Sequence, residues 1–122
     1  MARDDEIGSI RVSDKMLAAC VASSALSVPG VVDLDEVGAN FNPGNFSRGT
    51  TTFHGVMIDR REKSVIINVY LIAAYGSHIP QLAFQVQKKV AFDITEITGV
   101  IADEINIHVH GVRKTSDSLK KE

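Results

Sequence analysis

Tryptophan is absent, aromatic residues make up only 6% of the chain and cysteine occurs once, as Cys20. A single thiol excludes an intramolecular disulfide framework and any zinc site built on paired cysteines. Cys20 lies inside an apolar helical pattern, so it is expected to be a small core residue rather than a reactive thiol. An excess of charge of one sign is also lacking. Lys and Arg number 13 against 15 Asp and Glu, a net charge of −2, and no overall basic field exists to hold nucleic acid. No run approaches the ~20 apolar residues needed to cross a bilayer, and the acidic start MARDDEIGSI has no secretion-signal core. The chain is therefore expected to be cytoplasmic, with no direct transmembrane segment, and to reach a membrane through a partner or a surface patch.

Motifs that carry catalysis are missing as well. No paired carboxylates at useful spacing and no Ser or Cys nucleophile motif occur. The stretch Gly44-Asn45-Phe46-Ser47-Arg48-Gly49 lacks the lysine and the following helix of a phosphate-binding loop. The charge run Asp59-Arg60-Arg61-Glu62-Lys63 reads as a solvated turn, since no aromatic residues are interleaved in it to stack on bases. These gaps point to a protein without enzymatic activity and without a cofactor.

What is present is a strand–helix–strand pattern from Val69 to Val112. Ile79, Leu82, Ala83, Val86, Val90, Ala91, Ile94 and Ile97 recur at three- and four-residue spacing, one stripe of an amphipathic helix, with Gln81, Gln85, Lys88, Lys89 and Glu96 opposite. Ser77 is placed to be its N-cap, Pro80 suits its first turn and Gly99 its left-handed stop. Beyond Gly99 the period becomes two, with Ile105, Ile107 and Val109 on one face and Asn106, His108 and His110 on the other. A helix stripe of this kind leaves water only against an apolar sheet face.

Earlier in the chain, Ile7 to Val12 reads as a short strand and Ser13 as the N-cap of a helix rich in alanine and serine that Pro29-Gly30 ends. Val31 to Val37 reads as a strand, Gly38 to Thr52 as a loop, and His54 to Asp59 and Ser64 to Ala73 as two further strands. In the last of these Val65, Ile67, Val69 and Leu71 alternate with Ile66, Tyr70 and Ile72, so both faces are apolar and the strand is expected to be central. The 122 residues, 44% of them hydrophobic, thus predict one α+β domain. It is a two-layer sandwich with a mainly antiparallel sheet and two helices on one face, in the order β-α-β-β-β-α-β. Its core is expected over residues 7–113, with tails at 1–6 and 114–122.

Two sets of residues are candidates for function. Phe41 and Phe46, on the polar loop, either fold back onto the core, the favoured reading, or meet a partner, and with Ile66, Tyr70 and Ile72 they form a candidate interaction surface. His108 and His110, on one face of one strand, are an alternative metal site, with His54 or His78 as a third ligand and the protein then a ligand- or metal-binding regulatory domain. Solvent-exposed histidines on a polar sheet face are the simpler reading, and no metal is expected.

Several of these residues also resemble a known family. They are Gly8-Ser9-Ile10 with Val12-Ser13, Val28-Pro29-Gly30-Val31, Gly55-Val56, Val69 to Gly76, Ile79, Val86-Gln87, Thr98-Gly99 and Ile105 to Val112. Together they look like the alkaline shock protein family, which includes the Gls-type general stress proteins, over residues 7 to 113. The resemblance implies a small non-enzymatic envelope stress-response protein, mostly of Gram-positive bacteria, that forms a homo-oligomer. It also implies a cytoplasmic protein often held at the inner face of the membrane by a membrane-anchored protein partner. It brings no catalytic residues. The long charged extensions of some members are missing from this sequence.

Overall fold

A computed structural model describes residues 12–36, 50–62 and 64–114. The strand expected at Ile7 to Val12 therefore falls outside the described residues except for Val12, as do Phe41, Phe46 and the tail beyond Lys114. Ser13 caps the first helix, α1 (Asp14–Leu26), by accepting the Met16 N–H on its Oγ at 3.1 Å, the bond an N-terminal turn otherwise lacks. Asp14 adds a negative charge at the same end and pairs with Arg60 at 2.6 Å. At the other end Ser27 donates its N–H back to the Ser24 carbonyl, and Pro29 follows where the helix can no longer continue.

The chain then forms β1 (Val31–Leu34), β2 (Thr50–Phe53), β3 (Val56–Arg60) and β4 (Val65–Ala74), followed by α2 (Ile79–Thr98) and β5 (Glu104–Arg113). The central strand is β4, as its two apolar faces require. One of its edges carries β3 along Val65 to Val69 and β1 along Leu71 to Ala73, both antiparallel, and β2 continues the sheet beyond β3. The other edge carries β5 in parallel, which is what a helical crossover between two strands allows. Mainly antiparallel pairing with two helices on one face is the α+β arrangement that the alternation of periods implied.

Alternate residues of β4 (Val65, Ile67, Val69, Leu71 and Ala73) join Val56 and Ile58 beneath the helices, where they meet Leu17, Ala18, Val21 and Ala25 of α1 and Leu82, Val86, Val90 and Ile94 of α2. The alanines and Ser24 let α1 lie close to α2, and Ser24 Oγ donates across to Asp93 Oδ2 at 2.8 Å. Lys89 donates to the same carboxylate at 2.7 Å, and these two bonds, the lysine's first, hold the Asp93 carboxyl below its ordinary pKa.

Several expectations change, the strand read from Val31 among them, which ends at Leu34. Thr50 to Thr52, read as loop, are strand, because β-branched residues suit an edge strand and pair in register with Asp59, Ile58 and Met57. His54, read as strand, is instead the first residue of a two-residue turn, with φ 48° there and 83° at Gly55, the left-handed pair that a tight hairpin takes. The N-cap of α2 is His78 and not Ser77, since the Ser77 N–H is still used in the preceding turn, bonded to the Ala74 carbonyl. Ile97 is 64% exposed and Cys20 only half-buried. Both line a shallow groove between the helices with Ser23 and Ser27, side chains too short to cover them.

Candidate functional site

The sheet has a second face, away from the helices, built from the other residues of β4 and β5. Register places Ile66 beside Glu104, Asn68 beside Asn106 and Tyr70 beside His108. Tyr70 is only 7% exposed and Met57 2%, so this face has its own small buried centre. The His108 ring stacks on Tyr70 at 4.5 Å between centroids with 10° between the planes, and His110 meets the same ring edge-on at 5.2 Å.

Hydrogen bonds fix this group. Asn106 Nδ2 donates to Asn68 Oδ1 at 3.2 Å, which leaves that oxygen to accept from the protonated Nε2 of His108 at 3.1 Å. His110 Nδ1 lies 2.9 Å from Asp35 Oδ2, at the end of β1. Burial, and then the charge of His110, lower the His108 pKa, and burial raises that of Tyr70. His108 is thus half-buried within a packed polar network, not a solvated histidine on a polar face as its alternation implied.

The four histidines do not converge. His54 sits on the β2–β3 turn, 2.7 Å from Glu36, and His78 is at the start of α2 on the helix side. Among the described residues no group of three or more His, Cys, Asp or Glu side chains is arranged to hold a metal ion. One ring nitrogen of each of His54, His108 and His110 is already engaged by a protein oxygen.

Exposed apolar area lies elsewhere. On the outward side of α2, Phe84 is 57% and Phe92 65% exposed, with Lys88 between them and its Nζ 5.3 Å from the Phe84 ring centre. The signal for this stripe was in the sequence, since positions 84, 88 and 92 recur every four residues opposite Leu82, Val86 and Val90. Phe84 also borders a groove in which Pro80, Ala83 and Gln87 of α2 face Ile105 to His108 of β5. Of the candidate surface residues, Ile66 and Ile72 are half-buried on the second sheet face and Tyr70 lies beneath His108.

A profile of the alkaline shock protein 23 family, described as having a cell envelope-related function, matches residues 2–114. The chain belongs to the alkaline shock protein family. This is the family that its motifs resemble. Relatives of this alkaline shock family chain include YloU of Bacillus subtilis, 29% identical over 116 residues that cover 89% of this chain and 92% of the relative. YqhY of the same organism is 28% identical, covering 90% and 81%, and Spy1614 of Streptococcus pyogenes is 26% identical, covering 91% and 93%. All three come from Gram-positive bacteria and carry the description "uncharacterized", so they name no activity. No solved structure matches this chain.

Proposed function

We propose that this alkaline shock family chain is a non-enzymatic assembly protein of the cell envelope, which binds further copies of itself and docks on a membrane-anchored protein at the cytoplasmic face. The observation that carries this reading is the pair of phenylalanines on α2. A helix with a complete apolar stripe on the core has no folding reason to hold Phe84 and Phe92 more than half exposed, and burying a phenylalanine against a partner is worth about 1.5–3 kcal/mol. Ile66 and Ile72, on the same sheet face as Tyr70, offer a second contact area, and Phe41 and Phe46 are candidates for the same role. No helix among the described residues is long and apolar enough to cross a membrane, so attachment through an anchored protein fits the family's envelope role.

The test has two arms. Sedimentation velocity across a concentration series is expected to show the chain above monomer mass. The chain is also expected to sediment with native Gram-positive membranes, to leave them after protease treatment, and to ignore protein-free anionic vesicles. A monomer throughout, with no retention on membranes, would reject the proposal. Stoichiometric zinc or nickel in the untagged protein, lost in His108→Ala, would instead favour a regulatory domain using His108 and His110.

A further inference from the structure

Main-chain directions along β5 follow from those of β4. The Tyr70 N–H donates to the Gly55 carbonyl and the Tyr70 carbonyl accepts from Asp35, so even-numbered residues of β4 turn their peptide groups toward β3 and β1. The odd-numbered ones are left for β5. Since Ile66, Asn68 and Tyr70 lie opposite Glu104, Asn106 and His108, the peptide groups of these even β5 residues face β4, and those of Ile105, Ile107 and Val109 point away from the sheet. Gln87 agrees, because its Nε2 donates to the outward Ile105 carbonyl at 2.8 Å.

Among the described residues no strand pairs with that outer edge. Protein sheets blunt such edges with proline, lysine, short strands or bulges. The segment Glu104 to His110 has neither proline nor lysine, and the bulge in β5 comes only at its end, where Leu71 pairs with Val109 but Ile72 with Gly111. The other edge strands, β1 and β2, are each four residues long.

We infer that β5 pairs antiparallel with β5 of a second copy of this chain, about a two-fold axis at Ile107, so that the two sheets become one. The inference rests on the self-association proposed above and names its surface. Two-fold pairing at Ile107 sets Ile105 beside the second copy's Val109 on the helix face. On the other face it sets Asn106 beside His108, and Glu104 beside His110. Apolar meets apolar on the helix face, an amide meets an imidazole at Asn106 and an acid meets a base at Glu104, which self-pairing of an arbitrary strand does not provide. The outward peptide groups of Ile105, Ile107 and Val109 then exchange about six hydrogen bonds, with the second copy's Val109 N–H replacing the Gln87 amide on Ile105. Phe84, which borders the groove beside this edge, comes to face its own counterpart and is covered by the same contact.

Sedimentation of the full chain tests this with three variants. Phe84→Glu sets two like charges near the axis, and Val109→Pro removes one outward donor while leaving the ladder to β4 intact, its folding checked by circular dichroism. Each is expected to raise the dissociation constant at least about tenfold, whereas Met16→Glu, exposed on α1 over the β2 and β3 side of the sheet, leaves it unchanged. Amide exchange of Ile107 and Val109 is expected to slow as protein concentration rises. If the wild type assembles and neither Phe84→Glu nor Val109→Pro weakens it, the β5 contact is wrong and self-association stands. A wild type that is monomeric at every concentration rejects both, and protection of the Ile107 amide in the monomer would show the edge already covered by the chain itself.

Discussion

At Gly55 the chain turns with φ 83° while the end of β1 and the start of β3 share one edge of β4, and a Cβ there would stand 2.8 Å from Leu34 Cβ and 3.0 Å from the Asp35 nitrogen. Neither neighbour is the free end of a flexible side chain, so the backbone itself must shift. Gly55→Ala is therefore expected to lower stability by about 2–4 kcal/mol, read from a urea midpoint, combining left-handed strain with the clash. Gly99→Ala, at φ 78° with nothing within 4 Å of the added carbon, is expected to cost only the strain, about 1–2 kcal/mol. Equal losses at the two sites would refute the crowding described at Gly55. His108 sets a second expectation at this scale. Its folded pKa lies below the unfolded value near 6.5, for burial first and the His110 charge second, so the unfolded chain takes up the proton first and stability falls as pH drops from about 6.5 through the folded pKa. In His108→Gln that fall is expected to be smaller; an unchanged slope between about pH 7.5 and 5 would count against a buried neutral imidazole.

At the scale of the element, α2 shows where a periodic pattern is informative and where it stops. Ile94 and Ile97 both belong to the apolar stripe by spacing, yet one is fully buried and the other 64% exposed. Ile94→Ala is expected to cost about 2–5 kcal/mol, a transfer loss plus a cavity, and Ile97→Ala to stay within about 0.5 kcal/mol. Comparable losses would mean that the groove beside Cys20 is closed in solution. The strand β4 was the more legible element, because ten residues largely apolar on both faces have nowhere to go but the middle of a sheet. The short strand β2 was not legible, since three threonines after a glycine-rich loop carry a strand's stereochemistry without its alternation.

For the whole described molecule, one apolar cluster runs from α1 through the sheet to α2, and Ser24, Asp93 and Lys89 tie the helices together at its rim. Helix and sheet are therefore expected to unfold together, with far-ultraviolet circular dichroism and tyrosine emission giving coincident urea transitions. Two separated transitions would show that the second sheet face, where Tyr70 is held by His108, melts independently of the helical layer.

Local chemistry in the sequence determined the order of the elements other than β2, the cap at Ser13, the stop at Gly99 and the central place of β4, because turn signals and hydrophobic period act over a few residues. The resemblance to the family was equally legible, in motifs spread along the chain. Only the tertiary structure decided that His108 lies flat on Tyr70, that Gly55 has no room for a side chain, and that Phe84 borders the outer edge of β5. Each of these depends on register between strands distant in sequence. A one-residue shift in that register turns every side chain to the opposite face, and no local pattern records which register the packed layers select.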